Sequence, residues 1–237
     1  MSSGADSEGP RPARSLKAGR KGKYILGAGG FAREVLTIFE DLGSQGEIVG
    51  FAEQGVAHRG MLIHGRPVLN ASELTSRRSG DTELVVGIGS PLRARWIAEL
   101  AQEGWPFARA VHPSVRVHEG VEIGEGAVIC AGVELTCDLR IGSYCILNLS
   151  ATVGHDAAIG PFTTISPGVM VSGNVTIGER SWIGTGATIR EGIRIGDRSF
   201  VGAGAVVVKD IPSDTLAFGT PARPVRQITE SDWSDLT

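Results

Sequence analysis

Aromatic residues, cysteines and long apolar runs are scarce in this 237-residue chain. Phe, Trp and Tyr make up 5% of it, which argues against a thick core built on aromatic side chains. The three cysteines, Cys130, Cys137 and Cys145, have neither metal-ligand spacing nor an even number for disulfides. No stretch approaches the roughly 20 apolar residues of a membrane span. The sequence therefore predicts a cytoplasmic protein without a metal site or a membrane partner.

An excess of basic residues is also missing, because the net charge is −3. Six basic residues fall within residues 1–23, against two acidic ones, so the rest of the chain is more acidic still. A nucleic-acid-binding body would show a basic face, and we expect no such partner. Residues 1–23 are rich in Ser, Gly, Pro and Arg without an apolar run, which predicts a disordered tail rather than a signal peptide.

What the sequence does have is a six-residue repeat. Every sixth residue from Val111 to Val207 is aliphatic, and a small or aliphatic residue follows each of them four places later. Helices repeat near 3.6 and strands at 2, so a period of six indicates short strands joined by turns. The pattern predicts a solenoid over residues 110–211, with the aliphatic residues inside, no long insertion, and Cys145 as core filler.

Residues 24–109 have a different texture, in which strand and helix patterns alternate. We expect strands at Tyr24–Leu26 and Ile48–Phe51, a helix over Phe31–Leu42, and a further strand and helix near residues 84–100. The stretch after Glu53 is interpreted as irregular. The N-terminal unit is thus predicted to be a small α/β domain with a parallel sheet.

A glycine turn lies between the first strand and the first helix of this unit. Residues 27–32, GAGGFA, match the G-x-G-x-x-G/A pattern, and Glu53 follows the second strand. Backbone N–H groups at a helix N-terminus favour phosphate, so we interpret the turn as a nucleotide site. The alternative is a turn that merely joins strand to helix. The domain holds about half of a dinucleotide fold, which favours one nucleotide over NAD.

Among the five histidines, His155 is the candidate general base. It lies two places after the inward Val153 and is followed by Asp156, whose carboxylate contacts the ring only if a turn falls there. The alternative is a solvated turn histidine. His58, His64, His112 and His118 are interpreted as structural or surface residues. Lys209 and Arg223, near the end of the chain, suit phosphate groups, and the alternative for residues 212–237 is a tail that covers the last coil.

These motifs, in this order, resemble the hexapeptide-repeat nucleotide-sugar acetyltransferases, a family that includes amino-sugar N-acetyltransferases and proteins called sialic acid O-acetyltransferases. The resemblance covers about residues 24–228. It implies a left-handed parallel β-helix after the small Rossmann-like N-terminal domain, a homotrimer with active sites between subunits, and acetyl-CoA as donor. It also implies a nucleotide-linked sugar as acceptor, most commonly a uridine nucleotide, with guanosine and thymidine as alternatives.

The resemblance assigns roles to individual positions. His155 would be the base and Asp156 its carboxylate partner. The acetyl-CoA contacts would be Thr164, Gly173, Thr185, Ala203, Lys209 and Arg223. The nucleotide-sugar contacts would be Gly29, Gly30, Phe31, Glu53, Gln54 and Gly89. The chain departs from the family at two places, since Gln54 replaces a second acid and Thr164 replaces a histidine of one amino-sugar enzyme.

The leading functional hypothesis is acetyl transfer from acetyl-CoA to the amino group of a nucleotide-linked amino-deoxysugar. One alternative is O-acetylation of a sugar or sialic acid hydroxyl by the same residues. A second is a non-catalytic trimeric protein that binds sugar nucleotides.

Overall fold

The computed structural model describes residues 22–55, 57–58 and 60–236. They form an N-terminal α/β domain followed by a β-solenoid, as the sequence predicts. Most of the predicted tail, residues 1–21, lies outside the described residues. Its last two residues do not behave as a tail, because the first strand begins at Gly22 and Lys23 contacts Glu83 and Glu47 at 2.7 and 3.0 Å. No helix among the described residues is long and apolar enough to cross a bilayer.

The N-terminal domain is a five-stranded sheet in the order β3-β4-β2-β1-β5. All pairings are parallel except that of β3 with β4. Its elements are β1 (Gly22–Leu26), α1 (Gly30–Asp41), a 3-10 helix (Gln45–Glu47), β2 (Ile48–Glu53), β3 (Leu62–Ile63), β4 (Arg66–Asn70), α2 (Ala71–Ser76), β5 (Thr82–Val86) and α3 (Arg93–Gln102).

The stretch after Glu53, predicted to be irregular, contains the β3-β4 pair and α2. Asn70 begins α2 with a capping box, in which its side chain accepts from the Glu73 N–H at 2.8 Å and the Glu73 carboxylate accepts from the Asn70 N–H at 2.9 Å. β3 has two residues, which is too short to show a periodic pattern in the sequence. β4 pairs with β2 on one side, and β3 pairs with its other edge. The prediction for this stretch was therefore wrong.

The solenoid consists of two-residue strands at six-residue intervals, and residues 18 apart pair in parallel. It begins at β6 (Ala110–Val111). The regular strands are β7 (Glu122–Ile123), β8 (Val128–Ile129), β9 (Glu134–Leu135), β10 (Arg140–Ile141), β11 (Ile146–Leu147), β12 (Thr152–Val153), β13 (Ala158–Ile159), β14 (Thr164–Ile165), β15 (Met170–Val171), β16 (Thr176–Ile177), β17 (Trp182–Ile183), β18 (Thr188–Ile189), β19 (Arg194–Ile195), β20 (Phe200–Val201) and β21 (Val206–Val207).

The strands stack into three faces. Face 1 holds β7, β10, β13, β16 and β19; face 2 holds β6, β8, β11, β14, β17 and β20; face 3 holds β9, β12, β15, β18 and β21. The predicted inward aliphatic residues from Ile129 to Val207 are buried, and so is Cys145. The first hexads differ, because no strand forms at residues 116–117 and Val117 is 51% exposed. The regular repeat therefore starts later than the sequence predicts.

Two more strands extend face 2 at the C-terminal end. β22 (Thr215–Gly219) pairs in parallel with β20, and β23 (Ala222–Gln227) folds back on it. A 3-10 helix (Glu230–Asp232) and a short helix α4 (Trp233–Leu236) follow, and the Trp233 ring lies 6.0 Å from that of Phe200. The segment predicted as a tail over the last coil thus prolongs a solenoid face.

The N-terminal domain packs against face 2. Its core cluster includes Val128, Cys130 and Ile146, which belong to or border this face. The His112 ring hydrogen-bonds Asp41 at the end of α1, at 2.8 Å. The two parts therefore share a core.

Candidate functional site

β1 and β5 are adjacent strands from which the chain winds in opposite directions, and we call the region at their carboxyl ends the crevice. In open α/β sheets, ligands bind at such a switch point. Two glycine-containing turns lie side by side there, residues 27–30 after β1 and residues 87–89 after β5. Gly27 has a φ of 99°. A Cβ on Gly27 would come within 2.9 Å of the Gly87 carbonyl oxygen, so only glycine allows the two turns to touch.

The first turn ends at the N-terminus of α1. Gly29 and Gly30 are exposed, and a Cβ on Gly29 would meet nothing within 4 Å. No side chain in the described part of the chain caps α1, and its first turn has no acidic residue. Its backbone N–H groups and the positive end of its dipole are therefore available to a phosphate. Phe31 is half-buried against the domain core.

Glu53 ends β2 beside this crevice, and its carboxylate is held in place by His58. The His58 backbone N–H donates to Glu53 Oε1 at 2.7 Å, and the His58 Nδ1 lies 3.0 Å from Oε2. Burial opposes ionisation, but these hydrogen bonds prevail and hold the pKa of Glu53 below its usual value. Glu53 is thus a fixed anion suited to accept ribose or base donors. Gln54 is exposed next to it.

Gly89 and Thr164 come together in the structure. The Thr164 hydroxyl donates to the Gly89 carbonyl oxygen at 2.9 Å, and Thr164 is 2% exposed. The resemblance to the family assigns Gly89 to the nucleotide and Thr164 to acetyl-CoA. The burial of Thr164 leaves no surface for a cofactor, so we reassign it to the contact between the two domains. Gly89 remains partly exposed beside the crevice.

Arg93 completes this junction, although it is not among the site residues predicted from the sequence. Its guanidinium is buried and donates to Gly89 O at 2.8 Å, Thr164 Oγ1 at 2.9 Å and Phe162 O at 2.8 Å, with longer bonds to two neighbouring carbonyl oxygens. Burial lowers its pKa to about 10. A signal was available, since Arg93 shares the buried stripe of α3 with Ile97 and Leu100, at helical spacing.

His155 lies at the corner between face 3 and face 1, two residues after the end of β12. The chain turns at Asp156, which has a φ of 59°. The turn that the sequence analysis required is therefore present, and the His155 Nδ1 lies 2.8 Å from the Asp156 Oδ2. Both side chains are more than half exposed. Nδ1 carries the proton in this pair, and Nε2 is left to accept one from a substrate.

The hydrogen bond to Asp156 raises the pKa of His155 above its ordinary value, and the charges of Asp156 and Glu191 act in the same direction. A general base works in its neutral form, so the rate should fall below a pH set by this raised pKa. In Asp156→Asn we expect the acidic limb of the kcat profile to move to lower pH and the plateau to drop about tenfold or more, because the tautomer is no longer fixed. A pH–rate profile of both proteins checks this. An unmoved acidic limb would separate Asp156 from the base.

Gly173 is the residue on which the His155 ring rests. It lies one coil further along the same corner, and a Cβ on it would come within 2.5 Å of His155 Nε2 and 2.6 Å of Cε1. The missing side chain is thus what lets the imidazole lie across this coil. Among the described residues, no backbone acceptor takes the Gly173 N–H.

Gly173→Ala should displace the imidazole and leave the solenoid folded, because the clash is with a rotatable ring. We expect kcat to fall about tenfold, since small misplacements of reacting groups are costly, with the Tm nearly unchanged. Kinetics and thermal unfolding measure the two effects. Gly46→Ala is the control, because a Cβ there meets nothing within 4 Å. Unchanged kcat in Gly173→Ala would remove the positioning role.

The other predicted acetyl-CoA contacts are all exposed, and they divide between locations. Lys209 lies on the corner of His155 and Gly173. Thr185 and Ala203 stack in successive coils at the corner between face 2 and face 3, where the Gly204 N–H donates to the Thr185 carbonyl oxygen at 2.8 Å. Arg223 lies on β23. The two cations suit the phosphates of CoA.

The crevice and His155 lie on different sides of the solenoid. The N-terminal domain covers face 2, whereas His155 is at the corner that joins the other two faces. A cavity of about 480 Å³ between α3 and the C-terminal segment contains none of the predicted site residues. Among the described residues, no group of three or more His, Cys, Asp or Glu is placed to hold a metal.

Three family models match parts of the chain. "PglD N-terminal domain" matches residues 24–100, "Hexapeptide repeat of succinyl-transferase" matches residues 109–137, and "Bacterial transferase hexapeptide (six repeats)" matches residues 174–209. They fall on the crevice domain, the start of the solenoid and its C-terminal half. A comparison with curated protein sequences gives no significant match.

Solved structures match over nearly the whole chain. A histidine variant of perosamine N-acetyltransferase from Caulobacter crescentus, in complex with CoA and GDP-perosamine, is 33% identical, with a TM-score of 0.82 over 90% of this chain and 100% of that one. The chain belongs to the hexapeptide-repeat sugar acetyltransferases. The acetyltransferase domain of PglB from Neisseria gonorrhoeae, in complex with acetyl coenzyme A, is 32% identical, with a TM-score of 0.79 over 87% and 100% of the chains. WeeI from Acinetobacter baumannii is 29% identical, with a TM-score of 0.80 over 86% and 99%.

Membership of this family makes the protein a CoA-dependent sugar acetyltransferase. It confirms acetyl-CoA as the donor and the hexapeptide-repeat fold that the sequence predicted.

Proposed function

We propose that this sugar acetyltransferase transfers the acetyl group of acetyl-CoA to the amino group of a nucleotide-linked amino-deoxysugar, with His155 as general base. The observation that carries this proposal is the His155–Asp156 pair, with its 2.8 Å hydrogen bond and its free Nε2 on an exposed corner. Support for the acceptor comes from the exposed glycine turn at the N-terminus of α1 and from relatives whose complexes contain GDP-perosamine.

His155 takes the proton as the bond forms. The acceptor amine attacks the thioester carbonyl carbon, the C–N bond forms, and the N–H proton passes to His155 Nε2. Asp156 stabilises the resulting imidazolium. The Gly173 N–H is the donor we assign to the negative charge that develops on the carbonyl oxygen. The C–S bond then breaks, and His155 returns the proton to the departing thiolate, which yields an amide and CoA.

The nucleotide sugar binds in the crevice of the N-terminal domain. The α1 N-terminus at Gly29 and Gly30 takes a phosphate of the nucleotide. Glu53 accepts hydrogen bonds from the ribose or the base, beside Gln54, Gly89 and Phe31. His155 and the crevice lie on different sides of the solenoid. We therefore propose that, in a homotrimer, the crevice of one subunit holds the sugar that reacts at His155 of its neighbour. Thr185 and Ala203 of one solenoid and Gly173 and Lys209 of the next then face the same donor.

The test is an assay of purified protein with acetyl-CoA and matched acceptors. GDP-perosamine, UDP- and dTDP-linked 4-amino sugars, and the same nucleotides with a hydroxyl in place of the amino group form the panel. Release of the CoA thiol and the mass of the product are measured. We expect an N-acetylated product from at least one amino sugar nucleotide. Transfer to hydroxyl acceptors alone would establish O-acetylation instead, and transfer only to free sugars would refute the nucleotide crevice.

A further inference from the structure

The corner that carries His155 continues as a column of side chains along the solenoid. Residues 18 apart stack there, in the order Cys137, His155, Gly173, Glu191 and Lys209. The Asn174 N–H donates to the His155 carbonyl oxygen at 2.7 Å, and the Gly192 N–H donates to that of Gly173 at 3.1 Å. These bonds hold the coils in register, with neighbouring strands about 4.8 Å apart. Glu191 is thus fixed one coil beyond Gly173.

The His155 ring extends along this column toward Glu191. Its Nε2 lies over Gly173, while Nδ1 is held by Asp156 at 2.8 Å. The nitrogen that must meet the acceptor therefore lies on the Glu191 side of the ring. Glu191 is exposed, and no hydrogen bond or ion pair engages its carboxylate within the described part of the chain. An acceptor at Nε2 has this carboxylate as its neighbour along the corner.

We propose that Glu191 is a specificity-determining residue that favours an amine acceptor over a hydroxyl. The proposal rests on the proposed function, because it concerns the acceptor group at His155. An amino sugar arrives largely as an ammonium ion near neutral pH, and it releases one proton to solvent before attack. Attack then returns positive charge to the nitrogen until Nε2 takes the second proton. A carboxylate nearby favours both charged forms, whereas a neutral hydroxyl gains little from it.

The charged side chains around His155 are consistent with a role for Glu191 at the acceptor. Glu191 contributes, after Asp156, to raising the pKa of His155. Asp138 is a second carboxylate near this corner, but it lies next to Cys137, in the coil before that of His155 and away from Glu191. Lys209 follows Glu191 in the column and suits the donor rather than the acceptor.

The experiment compares binding of two ligands that differ in one group. Calorimetry with CoA present measures the Kd of GDP-perosamine and of the same sugar nucleotide with a hydroxyl in place of its amino group; the UDP or dTDP pair is used if the acceptor panel selects it. We expect the unmodified enzyme to favour the amine about tenfold, and Glu191→Gln to reduce that ratio to near one. The KM for acetyl-CoA should not change. The kcat/KM for the amine should fall about tenfold.

Glu122→Gln is the matched control, because Glu122 is exposed on face 1 in the first regular coil and should leave the ratio intact. An amine-to-hydroxyl ratio that Glu191→Gln leaves unchanged would overturn the role of Glu191. That outcome is distinct from failure of the proposed function, in which the unmodified enzyme acetylates no amino sugar nucleotide.

Discussion

Replacing His155 with alanine is expected to lower kcat at least about a hundredfold, because general-base help contributes roughly 10² to 10⁴ in rate. The side chain is exposed at a corner, so the variant should keep the Tm of the unmodified protein. The Kd for acetyl-CoA should also stay within about twofold. Steady-state kinetics with the best acceptor of the panel, together with calorimetry of CoA binding, measure these quantities.

His118→Ala is the control for this variant, since His118 is another exposed histidine of the solenoid. It should leave kcat unchanged. Near-normal turnover by His155→Ala would contradict the mechanism, and the proton would then have to leave by another route. Loss of turnover accompanied by loss of acetyl-CoA binding would point to a damaged donor site instead.

Replacing Arg93 with alanine is expected to reduce the free energy of unfolding by about 3 kcal/mol. The change removes the guanidinium donor from the part-buried carbonyl oxygens of Tyr144 and Phe162, at roughly 1 to 3 kcal/mol for each one that water does not reach. The Gly89 and Thr163 carbonyl oxygens keep the Thr164 hydroxyl and the Ile146 N–H as donors. Removing a buried cation that has no carboxylate partner among the residues the structure describes offsets part of this loss. Urea unfolding of the two proteins measures the difference.

Arg93 also holds one residue of the crevice in place, because its guanidinium donates a hydrogen bond to the Gly89 carbonyl oxygen. We therefore expect the KM for the nucleotide sugar to rise several-fold in Arg93→Lys, which keeps the charge but not the fork of donors. Arg95→Ala is the control in the same helix: its side chain is 86% exposed and its pairing with Glu99 is worth about 0.5 kcal/mol or less. Equal stability of Arg93→Ala and Arg95→Ala would show that the junction does not depend on this guanidinium.

The solenoid was predictable because its signal is repeated and local. A period of six defines which residue of each hexad faces inward, and the buried residues from Ile129 onward follow it. The His155 corner was predictable for the same reason, since counting from Val153 places His155 outside the core. The beginning of the solenoid was less predictable, because Val117 fits the six-residue pattern but is exposed and lies outside any strand.

Contacts between distant segments were not predictable from spacing. Arg93 and Thr164 are 71 residues apart, and neither local sequence shows that the two side chains form a buried hydrogen bond. The resemblance assigned Thr164 to acetyl-CoA by its position along the repeat. That position does not reveal that the N-terminal domain covers face 2 and buries Thr164. The glycine turn, in contrast, was recognisable, because strand, turn and helix are consecutive in the chain. The proposed pairing of one subunit's crevice with His155 of its neighbour depends on subunit assembly, which local sequence patterns do not encode.

The most direct test of this account is the product formed by the unmodified protein from acetyl-CoA and GDP-, UDP- and dTDP-linked 4-amino sugars. Thiol release and mass spectrometry of the sugar nucleotide give the answer together. We expect CoA release coupled to one acetyl group on the sugar nitrogen, with transfer at least about a hundredfold slower when His155 is replaced by alanine. Absence of thiol release with every amino sugar nucleotide, or acetylation that occurs only on oxygen, would contradict it.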